Sequence, residues 1–167
     1  MQPKQELSQD MSSRIAVIRI RGICKIKGKI EDTLRMMRLF KKNHCAIIKN
    51  DAISQGMLQK VKDYVTWGEL NEDTMKLLLE KRGRIMGNKP LHESWIKDKT
   101  TMSTNDFIKA YFDMKTELKH IPGFKPYFRL SPPKRGFERK GIKKPYSMGG
   151  VLGYRKDHIN ELIQRMI

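Results

Sequence analysis

Arg14-Ile15-Ala16-Val17-Ile18-Arg19-Ile20-Arg21 is a run of β-branched residues and arginines closed by Gly22. Its second half alternates, so a strand here places Ile18 and Ile20 on one face and Arg19 and Arg21 on the other. Downstream, the loop Gly22 to Lys29 sets Lys25 and Lys27 between glycines and Lys29 directly after the second. Ile30 to about Lys42 then reads as a helix, with Glu31 and Asp32 in the first turn and Lys41 and Lys42 in the last, each pair complementing the helix dipole. Ile30, Leu34, Met37 and Phe40 form its apolar stripe. Cys45 to Ile48 suits a second strand. Ser54 can cap a second helix carrying Met57, Leu58 and Val61, with Gly56 as a weak point, and Tyr64 to Trp67 reads as a third strand. The best-punctuated helix follows: Asn71 as N-cap, Glu72 and Asp73 in the first turn, Met75, Leu78 and Leu79 inward, and Gly83 at the end.

After Gly83 the texture changes. Arg84 to Thr101 reads as irregular. Ser103 with Asp106 three residues on is a capping-box spacing, opening a helix with Phe107, Ile108, Tyr111, Met114 and Leu118 that must stop before Pro122-Gly123. Pro126, Pro132-Pro133, Pro145 and Gly149-Gly150 then mark an extended arm to about residue 156. Turn chemistry without hydrophobic periodicity predicts that Pro126 to Gly153 is mobile in the free protein and orders on a polyanion. A last helix, from about Asp157 to Met166, spaces Ile159, Leu162, Ile163 and Met166 for docking on the body. The chain thus divides into a polar tail (1–13), a core (14–83), an irregular segment with a helix (84–121), a basic arm (122–156) and a docking helix (157–167). The class is α+β, with a β-α-β-α-β core.

The charge is unevenly placed. The 167 residues carry a net +17, and the segment Arg14 to Lys49 holds 11 basic and 2 acidic residues, whereas Asn50 to Asp98 balances 8 against 8. Lys119 to Lys156 holds 11 basic residues against a single acid, Glu138. Two segments therefore contain the whole excess. Self-repulsion at that density is relieved by a polyanion, and counterion release favours nucleic acid. Anionic lipid would require a basic amphipathic helix, which the Pro- and Gly-rich second segment does not make. No long apolar run or secretory leader pattern is visible, so an intracellular, cytoplasmic location is expected. Cys24 and Cys45, the only cysteines, are expected as buried free thiols.

Catalytic readings find little support. Five residues separate Gly22 from Gly28-Lys29 where a phosphate-binding loop needs four, and the following Ser or Thr is missing. His44, His92, His120 and His158 have no metal-ligand spacing, and the glycines of Gly149 to Gly153 follow a basic loop rather than a strand. Neither a cofactor nor a small-molecule substrate is implied. The richest constellation is Lys134, Arg135, Phe137, Arg139, Lys140, Lys143, Lys144 and Tyr146, cations interleaved with aromatics: cations neutralise phosphates, and Phe or Tyr can stack on an exposed base. With Arg19, Arg21, Lys25, Lys27, Lys29 and Arg155 these are the candidate RNA-contacting residues. A solvated loop is the competing reading of each basic cluster.

Particular residues also carry a family resemblance. Arg14 to Gly22, Thr33-Leu34 and Leu39, Gly56-Met57, then Phe128-Arg129-Leu130-Ser131-Pro132-Pro133 and Gly149-Gly150-Val151-Leu152-Gly153-Tyr154-Arg155 resemble the large-subunit ribosomal protein L-thirty family in its longer, archaeal-type form. The resemblance spans Ser13 to Ile167; the part to about Glu69 resembles the short bacterial form, and Met37, where Leu is expected, is a mild departure. It implies a three-stranded antiparallel sheet with helices on one face plus a helical and extended C-terminal extension. It further implies a structural, non-catalytic protein that binds 23S-type ribosomal RNA beside neighbouring large-subunit proteins, with 5S ribosomal RNA as a further candidate and no homo-oligomer. The rival readings are an RNA-processing or modifying enzyme, which would need paired carboxylates or a cofactor loop that the sequence does not offer, and an assembly factor or another transient nucleic-acid binder.

Overall fold

The computed structural model describes residues 13–24, 26–100 and 102–167. The first strand, β1 (Arg14–Arg19), is buried along its whole length. It is the centre of a five-stranded sheet of order β4-β2-β1-β3-β5. Its antiparallel neighbours are β2 (His44–Lys49), paired Ile18 to Cys45, and β3 (Val65–Glu69), paired Arg19 to Val65. The β-α-β-α-β core is therefore present as expected. The arm adds an edge on each side: β4 (Phe128–Arg129) lies antiparallel to β2, and β5 (Gly153–Tyr154) lies parallel to β3.

The alternation of β1 sorts the helices into two layers. Ile15 and Val17 pack with Leu34 and Met37 of α1 (Gly28–Met36) and its exit turn, and with Leu58 and Val61 of α2 (Ala52–Val61). Ala16, Ile18 and Ile20 pack on the opposite face. Their partners come from α3 (Glu72–Arg82), α5 (Thr104–Phe112) and α6 (His158–Met166), through Leu78, Phe107 and Ile163 among others. The extension thus supplies a second helical layer to a sheet whose first layer is α1 and α2. A strand apolar on both faces is the signature of such two-sided burial.

Several boundaries differ from the sequence reading, each for a local reason. Helix α1 ends at Met36, not near Lys42. Arg38 adopts a left-handed φ of 61°, and the Arg38 and Leu39 amides close on the Arg35 and Leu34 carbonyls at 2.9 and 2.8 Å. That is a Schellman stop made without glycine. It buries Leu39 completely and leaves Phe40 43% exposed, so Phe40 is not part of the core. Asp51, not Ser54, caps α2, its carboxylate accepting the Ser54 amide at 2.7 Å. The segment expected to be irregular contains α4 (Glu93–Thr100). Ser103 caps a helix as expected, its hydroxyl accepting the Asp106 amide at 3.2 Å, but the Asp106 carboxylate returns to that hydroxyl and not to the Ser103 amide, so the box is half made; the helix ends at Phe112, and Leu118 reaches the core from a separate 3-10 turn. Cys45 is buried and Cys24 exposed, a correction to the expectation for the latter.

Candidate nucleic-acid interface

Strand register decides where the basic segments go. At one end of the sheet lie the C-terminus of β1 and the starts of β2, β3 and β5, since Arg19 faces Val65, Ile18 faces Cys45, and Thr66 faces Gly153. The chain from Gly22 into the first turn of α1, which carries Lys29, leaves β1 at that end. The arm leaves β4 there too, where the Leu130 amide bonds the Asn43 carbonyl at 3.0 Å, and returns there through β5. Two basic segments far apart in sequence therefore emerge from the same edge of the molecule. The charge-balanced middle of the chain supplies α2 through α4 instead.

The candidate residues divide once placed. Lys27, Lys29, Lys134, Arg135, Arg139, Lys140, Lys143 and Lys144 are exposed. Arg21 is half-buried, its guanidinium 4.9 Å from the Tyr64 ring centre, and it donates to the Asp63 carbonyl at 3.2 Å. Lys25 lies outside the described residues.

Arg19 and Arg155 correct the sequence reading. Arg19 is 1% exposed, donating from Nε to the Arg21 carbonyl, from Nη1 to those of Leu39 and Phe40, and from Nη2 to that of Gly22, at 2.8 to 3.2 Å. Arg155 is 2% exposed and binds Thr66 Oγ1, Glu138 Oε1 and the Val151 carbonyl, each at 2.9 Å. A guanidinium has five donors in a fixed fork, and these two spend theirs inside the protein. Arg14, buried likewise, donates to the Tyr111 and Thr116 carbonyls at 2.9 to 3.2 Å and lies 3.9 Å from the Tyr111 ring centre, pinning the end of α5 to the sheet.

The aromatics of the arm serve packing. Phe137 sits half-buried against the core, and one face of the Tyr146 ring is occupied by the Arg155 guanidinium at 4.6 Å. Glu138, the arm's single acid, is an internal counterion: it takes Arg155 at 2.9 Å and Arg165 at 3.5 Å. Burial would raise its pKa, but the Arg155 hydrogen bond and the charges of Arg155 and Arg165 outweigh that and hold it below the ordinary value. The glycines have an equally internal explanation. A Cβ on Gly150 would lie 2.2 Å from the Lys144 carbonyl oxygen, so the Gly-rich run permits a close approach to a neighbouring turn of the arm itself.

The arm is consequently tied to α6 near its start, folded back on itself near its end, and held there to β3, where the Arg155 amide bonds the Trp67 carbonyl at 2.9 Å. The Ser131 and Lys134 amides bond the Met166 and Arg165 carbonyls at 2.9 and 2.8 Å, and the Tyr146 and Val151 amides bond the Leu152 and Lys144 carbonyls at 2.7 and 3.0 Å. In the RNA-free protein these four amides are expected to exchange slowly, and those of Arg139, Lys140 and Lys143 fast, becoming protected only on RNA. Hydrogen exchange with residue resolution checks this. Uniformly fast exchange from Pro126 to Gly153 would mean that the tethers do not hold in solution.

The sequence reading passed over a further group at the same end. His44 is 6% exposed and stacks on Tyr127 at 5.1 Å between ring centres; Phe40 meets Tyr127 edge-on at 5.7 Å, and the Arg129 guanidinium is 5.8 Å from the Tyr127 ring. The His44 pKa is pushed down to about 4, by burial first and then by the charges of Arg129, Lys41 and Arg19. Between pH 6.5 and 4 the unfolded imidazole takes up a proton that the folded one refuses, so stability falls as pH drops through that window. His44→Gln is expected to flatten that part of a denaturation-versus-pH curve, and an unchanged slope would remove His44 as its cause.

With this geometry in place, relatives become informative. The family model for ribosomal protein L30p/L7e matches residues 15–65. The chain is also 48% identical over 149 residues to the large ribosomal subunit protein uL30 of Methanopyrus kandleri, covering 89% of this chain and 100% of that protein. The chain belongs to the ribosomal protein L30p/L7e family. Similar proteins named large ribosomal subunit protein uL30 occur in Nanoarchaeum equitans, at 46% identity over 91% of this chain and 97% of the relative, and in Archaeoglobus fulgidus, at 45% over 90% and 98%. The family model covers β1 to the start of β3, whereas these full-length matches run on through the second helical layer and the arm. In this L30p/L7e family member the extension is thus as much part of the protein as the β-α-β-α-β core.

Proposed function

We propose that this large-subunit ribosomal protein binds and stabilises large-subunit ribosomal RNA through the basic end of its sheet, by charge and shape and with no reaction. The observation that carries the reading is the convergence of the Gly22 to Lys29 loop and the arm on one end of the sheet. Among the described residues, the exposed candidates Lys27, Lys29, Lys134, Arg135, Arg139, Lys140, Lys143 and Lys144 are faced by one acid of the arm, Glu138, and that acid is already committed to Arg155 and Arg165. Lysine ammonium groups on loops are point charges that position a protein on phosphates, whereas base readout would favour Arg or Asn in fixed geometry. Neighbouring large-subunit proteins are the expected companions of such a subunit.

Removing Lys25, Lys27 and Lys29 together as alanines is expected to reduce the salt slope of log K for a large-subunit RNA fragment by about 2 to 3 units, each phosphate contact contributing about 0.7–0.9. Titrations over a salt series with the intact protein and the triple variant measure it. An unchanged slope would make the loop an ordinary solvated turn. Sedimentation of cell extract tests the role itself: stoichiometric comigration with mature large subunits supports it, and migration with precursors alone would replace it with an assembly factor.

A further inference from the structure

The turn between α1 and β2 presents side chains that the core does not use. The Schellman stop at Arg38 sends Leu39 inward and Phe40 outward, and Asn43, at φ 64°, turns the chain back into β2. The carbonyls of Leu39 and Phe40 are gripped from inside by Arg19 Nη1 at 2.8 and 3.1 Å, so the outward ring stands on a fixed backbone. Tyr127, from the chain entering β4, lies edge-on to Phe40 and is itself backed by His44. Lys41, Lys42 and Arg129 are exposed around these rings, and the charges that bear on His44, those of Arg129, Lys41 and Arg19, are positive.

We propose that Phe40 and Tyr127, rimmed by Lys41 and Arg129, form a stacking site for an unpaired RNA base whose flanking phosphates rest on those cations. The inference rests on the RNA-binding reading above and adds a second kind of contact to it. An exposed aromatic ring held on a rigid turn is pre-organised for stacking, which costs little side-chain entropy and suits any base with a π-face. Surrounding cations select the ligand. An apolar protein surface would cover the rings but leave Lys41 and Arg129 to be desolvated unpaired, whereas a nucleotide brings a flat ring and an anion together.

The test compares Phe40→Leu and Arg129→Gln with the unaltered chain, using a short oligoadenylate and an abasic ribose-phosphate oligomer of equal length, by fluorescence anisotropy over a salt series. Phe40→Leu is expected to weaken oligoadenylate binding roughly 5- to 150-fold and to leave abasic binding and the thermal midpoint unchanged. Arg129→Gln is expected to weaken both oligomers alike and to lower the salt slope by about 0.7. If Phe40→Leu binds oligoadenylate like the unaltered chain, or loses the abasic oligomer equally, the stacking site is wrong while RNA binding stands. If the unaltered chain binds neither oligomer nor a large-subunit RNA fragment, the RNA-binding reading falls and takes the stacking site with it.

Discussion

Replacing Lys134, Arg135, Lys140, Lys143 and Lys144 together by alanine is expected to lower the salt slope of log K for large-subunit RNA by about 3.5 to 4.5 units, each lost phosphate contact contributing about 0.7–0.9. Affinity at low salt should collapse while fold stability changes little. All five side chains are exposed, and none takes part in the hydrogen bonds by which Arg155, Glu138 and Arg165 close the arm. Exposed substitutions of this kind shift stability by roughly 0.5 kcal/mol or less each. Leu78→Ala is the contrast: Leu78 is fully buried against the sheet, and the cavity should cost about 2–5 kcal/mol with no direct effect on the salt slope. Denaturant unfolding and RNA titration on the same two variants measure both quantities. An arm variant that unfolds as readily as the core variant would make the lysine-bearing stretch part of the core.

Arg19→Met should behave in the opposite way, destabilising the fold by about 3–5 kcal/mol. Four backbone carbonyls lose their donor at once, two of them in the turn that carries Leu39 and Phe40. Arg19→Lys should recover less than half of the loss, because an ammonium has three donors on one atom and cannot span carbonyls that the guanidinium reaches with three separate nitrogens. Burial lowers the Arg19 pKa, partly offset by Glu31 and Tyr64, and a guanidinium remains charged even so, which is why its carbonyl partners are indispensable. Urea unfolding at neutral pH is the measurement. An Arg19→Met protein of normal stability and impaired RNA binding would restore Arg19 to the interface and refute the structural role.

Local patterns were sufficient for much of the fold. β-Branched alternation placed β1, the acid-first and base-last punctuation placed α3, the Ser103 and Asp106 spacing placed the start of α5, and the apolar spacing of Ile159, Leu162, Ile163 and Met166 placed α6 with its buried face. Each of these signals is written within a few residues. What failed locally did so for equally local reasons: a helix stop at Arg38 has no glycine to announce it, and the two-residue strands β4 and β5 are too short to show a period.

The candidate interface was legible as a count of charge by segment, since exposed lysines in glycine- and proline-rich loops remain exposed whatever the fold. Arginines were not legible in this way. In the sequence Arg14, Arg19, Arg21 and Arg155 look alike, yet three of them are buried and only Arg21 reaches the surface. The difference depends on acceptors far along the chain, such as the Tyr111 carbonyl 97 residues from Arg14 and the Thr66 hydroxyl 89 residues from Arg155. Composition and spacing by themselves determined the α+β class, the inward faces of α3 and α6 and the two basic segments. Only the tertiary structure decided that those segments share one end of the sheet, that Phe40 faces outward, and which guanidiniums are internal, because a buried cation is tolerated only where distant backbone converges on its donors.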